Sequence, residues 1–302
     1  MVPLTQNRPP LNESFEQQLK SFAERIEGVL ETILPPPHTR LHEAMRYSVL
    51  GGGKRLRAFL VFATAALYNV PQEIALRVGA VLELVHAYSL VHDDLPAMDD
   101  ADMRRNKPSC HKAYGEAIAI LVGDALIPLA FQTLSSLHTS KDVRLNLIQE
   151  FSQVIGSEGL VAGQMWDLNQ EGSIETVDDL LELQRLKTGL LFGFATQAGA
   201  ILGNASPKEQ EALKNFGLLF GRMFQMVDDW LDGCAAENIT GKPSHQDKDK
   251  VTFLTLLGAR DLQIKVEETL NNALEILSPF GEKAVLLRQT TEYACRWVKL
   301  IK

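Results

Sequence analysis

From Glu13 onward, almost every segment of this 302-residue chain spaces its apolar residues three or four apart. No run shows the polar–apolar alternation and turn residues that a half-buried strand requires. Phe22, Ile26, Val29, Leu30 and Ile33 trace one helical face before Pro35-Pro36-Pro37 stops it. Val78, Val81, Leu82, Val85, Ser89 and His92 trace another. Further helices are expected over residues 113–138, 143–155, 157–170, 176–202, 207–232, 262–277 and 282–301. Those from 78 to 232 are apolar on most sides, as in a buried bundle. Residues 1–12 are polar and proline-containing and read as a flexible tail; with no separating linker visible, 13–302 reads as one all-α domain.

An apolar content of 45% suffices for a large core. The net charge of −8 gives no support to nucleic-acid binding, which needs a basic face. Three cysteines, Cys110, Cys234 and Cys295, have no metal-ligand spacing, and their odd number suits a reducing compartment. No signal peptide and no transmembrane segment is expected: the best apolar stretch, 117–131, is interrupted by Gly123-Asp124 and Pro128. These readings together imply a cytoplasmic protein.

Two acidic clusters stand at the ends of apolar helical stretches: Asp93-Asp94 through Asp99-Asp100, and Asp228-Asp229-Trp-Leu-Asp232. Like charges one turn apart repel, and the negative end of the helix dipole adds to the cost. Something positive must offset them. Clustered carboxylates that leave room for water and phosphate oxygens suit Mg²⁺. Gly79, His86 and Asp93, seven apart, share one helical line to within about 20° per step. Pro96 disfavours helix at Leu95, so the chain can fold back and offer Asp99 beside Asp93. Arg104-Arg105 follow, suited to phosphate oxygens. A solvated acidic helix end with a charged loop is the alternative. Gly217, Gly221, Gln225, Asp228 and Asp232 form one stripe on an otherwise apolar helix, facing either a cavity with room at its glycines or solvent.

Gly51-Gly52-Gly53-Lys54-Arg55-Leu56-Arg57 brings three cations to a helix start, which suits an anion, although a plain interhelix turn fits equally well. Lys187-Thr188 lies in an apolar helix, where a lysine can also simply reach along the surface to solvent. Gln164 and Asp167 are one turn apart.

Together, in order and spacing over about residues 41–258, these segments resemble the trans-isoprenyl diphosphate synthase family, closest to bacterial farnesyl or geranylgeranyl diphosphate synthases. The elements are Gly-Gly-Lys54-Arg-Leu-Arg57, His86 through Asp93-Asp94-x₄-Asp99, Arg104-Arg105, Gly123-Asp124, Gly163-Gln164-x-x-Asp167, Lys187-Thr188-Gly and Phe224-Gln225-x-x-Asp228-Asp229-x-x-Asp232. The resemblance implies an all-helical bundle of long antiparallel helices around a deep cavity, with the acidic motifs opposed across its mouth. It implies head-to-tail condensation of isopentenyl diphosphate with dimethylallyl or geranyl diphosphate, giving farnesyl diphosphate. Asp93, Asp99 and Asp228 would bind about three Mg²⁺, for which Mn²⁺ could substitute, and Asp94 and Asp232 would support through water or through contacts to the residues that hold the metal. Arg104, Lys187 and Lys242 would contact the allylic diphosphate. Lys54, Arg57, His86 and Arg105 would bind isopentenyl diphosphate, and Lys187, Thr188 and Gln225 would line the path of the developing cation. An aromatic at Tyr88, with Ser89 beside it, would limit chain length; a plain core tyrosine is the other reading. A homodimer is also implied.

Some positions depart from the family pattern. Ala58 stands where proline is usual, Ala101 where an acid is frequent, and Phe253 where tyrosine is common. The loop 241–250 reads two residues short, which leaves Asp247 and Lys250 as secondary candidates. A geranylgeranyl synthase, a noncatalytic partner subunit and a class I terpene cyclase are the competing functions. The cyclase lacks support because the Asn/Ser/Glu replacement of the second acidic motif is missing.

Overall fold

The computed structural model describes residues 13–168, 174–234 and 251–296. It is all-α apart from one short hairpin. The helices are α1 (Glu13–Ile33), α2 (Arg40–Val49), α3 (Leu56–Ala66), α4 (Gln72–Asp93), α5 (Cys110–Tyr114), α6 (Glu116–Ser135) and α7 (Lys141–Ile155). They continue as α8 (Leu160–Leu168), α9 (Val177–Gln184), α10 (Leu190–Leu202), α11 (Pro207–Cys234), α12 (Phe253–Ile276) and α13 (Val285–Ala294). Local signals set many of the ends. Thr39 and Ser140 accept the amides of His42 and Val143 and so cap α2 and α7. Thr176 with Asp179, and Thr252 with Thr255, form reciprocal capping boxes on α9 and α12.

α4 and α10 form the centre. α10 is buried from Leu191 to Leu202, and α4 is buried through most of its length. α3 packs on both, α6 on α4, α11 on α10, and α12 on α11. Glycines set the close crossings. A methyl on Gly79 would lie 3.0 Å from Ala58 Cβ, so α3 and α4 meet at paired small residues.

Several expectations need correction. Arg104-Arg105 belong to a two-stranded hairpin, Met103–Arg104 against Lys107–Pro108, although no strand pattern is legible. It is too short to show alternation, and its turn places Arg105 and Asn106 at φ 52° and 60°. The expected 113–138 helix breaks at Gly115, whose φ of 93° separates α5 from α6. α6 then runs unbroken through Gly123, Asp124 and Pro128. The 176–202 helix is interrupted by a π turn, Arg185–Gly189. α12 begins well before residue 262 and kinks at Gly258. The last predicted helix opens as a 3₁₀ turn, Ser278–Ala284. By length and composition alone α4 and α6 could each cross a membrane, a test that core helices of a bundle also pass. α4 is mostly enclosed by protein, as a core helix is.

Candidate active site

The acidic end of α4 comes first. The helix stops at Asp93, and the chain turns back through Pro96 so that the Asp99 amide donates to the Asp93 carbonyl at 2.9 Å. Asp93 is half-buried and Asp99 exposed. Burial pushes Asp93 up to about 6; Asp99 and Asp167 push the same way, against Lys187 and Arg104. An ionised Asp93 is therefore costly here, and a bound cation would offset that cost. Asp94 sits in a different environment from Asp93. It is 2% exposed and accepts Nε and Nη2 of Arg104 at 3.0 and 2.5 Å. Its carboxylate anchors the hairpin to α4.

A cavity of about 330 Å³ opens beside Asp93. His86, Tyr88, Ser89 and Asp93 line it from α4, Leu160 and Gln164 from α8, Lys187 and Thr188 from the π turn, and Arg57 from α3. Single-turn π segments mark places where a helix is deformed to present side chains. Here Lys187 donates to Asp167 at 2.5 Å. A methyl on Gly163 would lie 2.4 Å from the Lys187 amide nitrogen, so only glycine lets α8 approach the turn this closely. Both amide heteroatoms of Gln164 and the Nε of Arg57 are buried without a protein partner. Orphaned polar atoms on a cavity wall suit a polar ligand. Tyr88 meets His92 edge to face at 5.1 Å, and Ser89 donates to the His86 carbonyl.

The basic groups gather around His86. Gly51, Gly52 and Gly53 all have positive φ, and Arg55 begins α3 in the left-handed region. Lys54 is exposed. The Arg57 guanidinium lies over the Phe192 ring at 4.3 Å, and burial lowers it to about 10. The hairpin brings Arg105 to the glycine loop: a methyl on Gly53 would lie 3.5 Å from its Nη2. Burial, then Arg57, Arg105, Arg55 and Arg104 in turn, hold His86 well below its usual 6.5, so it is neutral. Arg55 faces elsewhere. Its guanidinium is taken by Glu83 at 3.0 Å, Glu27 at 2.7 Å and the Val49 carbonyl. Of the three cations at this helix start, one is thus already neutralised from within. Sequence reading missed Glu83; the signal was a lone acid inside Val81-Leu82-Glu83-Leu84-Val85.

On α11, Asp228 is exposed and Asp232 half-buried. Gln225 donates to Asp229 at 3.0 Å, and the other Asp229 oxygen accepts the Phe253 amide at 2.8 Å. Asp229 therefore ties α11 to the start of α12, a role spacing alone could not reveal. Gly217 and Gly221 are not room for a ligand, as the stripe suggested. Methyls there would lie 2.4 Å from the Phe192 carbonyl and 2.9 Å from Gly189 Cα, so they admit the backbone of α10 and the π turn. That turn contacts α8 on one side and α11 on the other. Lys242, Asp247 and Lys250 lie outside the described residues. Among the described residues, no group of three or more His, Cys, Asp or Glu is placed to hold a metal by itself. Mg²⁺ seldom sits in an all-protein cage, and carboxylates such as Asp93 and Asp99 that leave positions for water and phosphate fit it.

Comparison with known proteins gives a consistent picture. A farnesyl diphosphate synthase from Geobacillus stearothermophilus is 38% identical over 257 residues, covering 82% of this chain and 84% of that one. Geranylgeranyl pyrophosphate synthase 4 from Arabidopsis thaliana is 36% identical over 277 residues, 90% of this chain and 74% of that one. The crystal structure of an FPP/GFPP synthase from Zymomonas mobilis superposes with a TM-score of 0.84 at 42% identity, covering 93% of this chain and 98% of that chain. The family model described as polyprenyl synthetase matches residues 38–287. With the helical bundle and its acid-lipped cavity, these matches establish that the chain belongs to the polyprenyl synthetase family.

Proposed function

We propose that this protein is a short-chain trans-prenyl diphosphate synthase that joins isopentenyl diphosphate head-to-tail to dimethylallyl and geranyl diphosphate, releasing farnesyl diphosphate. One observation carries the reading. A single cavity is lined by the acid Asp93 and the cation Lys187 and also by Arg57 and His86, beside apolar Leu90, Leu160 and Val161. Two anionic substrates can thus be held with their hydrocarbon parts in the same apolar space.

Lys187 and Arg104, with Lys242, would contact the allylic diphosphate. Lys54, Arg57, Arg105 and a neutral His86 would hold isopentenyl diphosphate. Mg²⁺ held by Asp93, Asp99 and Asp228, with Asp232 supporting, would supply Lewis-acid stabilisation of the departing diphosphate. Thr188 and Gln225 would line the path of the allylic cation, and an apolar wall would exclude water that would quench it. The departing diphosphate can accept the proton lost after carbon–carbon bond formation, so no protein base is required. Tyr88, on the cavity wall, supports a fifteen-carbon limit. The protein is expected to act as a cytoplasmic homodimer, for which the exposed Ile120 and Leu121 of α6 offer an apolar side.

Incubation with isopentenyl and dimethylallyl diphosphates, with Mg²⁺ or with chelator, tests this. The expected product is farnesyl diphosphate, formed only with metal. A twenty-carbon product would instead mark a geranylgeranyl synthase, a cyclic hydrocarbon a terpene cyclase, and no turnover a noncatalytic partner subunit.

A further inference from the structure

We infer that Glu83, which touches no substrate position, is a positioning residue that holds the isopentenyl diphosphate cradle in shape through Arg55. This rests on the synthase reading above.

Glu83 is 3% exposed, one turn before His86 on α4. Its Oε2 accepts Nη1 of Arg55 at 3.0 Å, and its Oε1 accepts the Ala58 amide at 3.4 Å. Those two donors belong to the first turn of α3, of which Arg55 is the cap residue. A helix start normally has its free amides satisfied by the cap residue's own side chain. Arginine has only donors and cannot do this, and no side chain of α3 itself caps the helix. The carboxylate from α4 performs that task across the helix crossing. An anion therefore already stands at the α3 start, and a diphosphate must be held by the side chains around it.

The second part of the argument is backbone shape. Arg55 has φ 49° and ψ 36°, a conformation unfavourable for any residue with a Cβ. Such a turn persists when its surroundings fix it. Here Glu83, Glu27 and the Val49 carbonyl hold the guanidinium from three sides. Lys54 and Arg57 flank this fixed residue, so its orientation sets theirs. Glu83 also acts electrostatically on Arg57 and Arg105, keeping their charge favourable where burial opposes it.

The two roles of Glu83 predict opposite results. If only its field mattered, removing its charge would leave the cradle more positive and tighten diphosphate binding. If it positions Arg55, removal loosens the turn and weakens binding. We expect Glu83→Gln to raise KM for isopentenyl diphosphate about tenfold, with KM for dimethylallyl diphosphate within about twofold and kcat within about threefold of wild type. Arg55→Gln should do the same, and the double variant no more than either single one. Unchanged or lowered KM, a parallel rise for both substrates, or additive effects would overturn the inference. Should Glu83→Gln not fold, Glu27→Gln at the open end of the network should still raise KM for isopentenyl diphosphate about threefold, again selectively; no rise overturns it. Calorimetric titration with inorganic pyrophosphate, without metal, separates this from the synthase reading. Weaker binding by Glu83→Gln sustains the positioning role even if the wild type does not elongate prenyl chains. Equal binding by the two proteins overturns it.

Discussion

Arg104 reaches from the hairpin to the end of α4 and places Nε and Nη2 on the buried carboxylate of Asp94 at 3.0 and 2.5 Å. Removing one partner of such a pair strands the other. Asp94→Asn should lower stability by about 2 kcal/mol, discounted for the partly exposed guanidinium. Turnover should fall at least about tenfold, because Arg104 loses its aim toward the allylic diphosphate. Thermal melts and steady-state rates check both.

His86 gives a pH prediction. Its folded pKa lies well below 6.5. As pH falls through 6.5, the unfolded chain takes up a proton that the folded protein refuses. Stability is then lost as pH falls, by at most about 1.4 kcal/mol per unit, until the folded pKa is reached. His86→Gln should remove that contribution, while the opposite one from Asp93, whose folded carboxyl takes up a proton at about 6, remains in both proteins. Denaturant titrations between pH 7 and 5 on both proteins test it.

Gly221 fixes how closely α11 approaches the π turn. Gly221→Ala would bring a methyl to 2.9 Å from Gly189 Cα. Overpacking of this kind costs about 1–3 kcal/mol. Because the displaced turn carries Lys187 and Thr188, kcat should fall by more than the stability loss explains. A variant with wild-type kcat would show that the turn tolerates movement.

Tyr88 lines the same cavity as Asp93. Tyr88→Ala should shift the product from fifteen to twenty or more carbons, read by chromatography. An unchanged product would place the length limit elsewhere.

The helical bundle was legible because apolar residues on α4, α10 and α11 repeat at helical spacing. The gathering of Asp93, Lys187 and Arg57 around one cavity was legible because charged groups stood in apolar stretches, where burial makes them costly. What remained hidden depended on contacts distant in sequence. Glu83 and Arg55 are 28 positions apart. Asp229 and Phe253 are 24 apart. The hairpin was invisible because two-residue strands carry no period. The glycines of α11 were misread because a notch for a ligand and a notch for a neighbouring helix look alike in one dimension.

The Asp229–Phe253 bond has an evolutionary corollary. Asp229 gives one oxygen to Gln225 and the other to the Phe253 amide, so only a side chain with two acceptor oxygens in that place keeps α12 fastened to α11. Drift at this acid is thus restrained by architecture, whatever chemistry its neighbours perform.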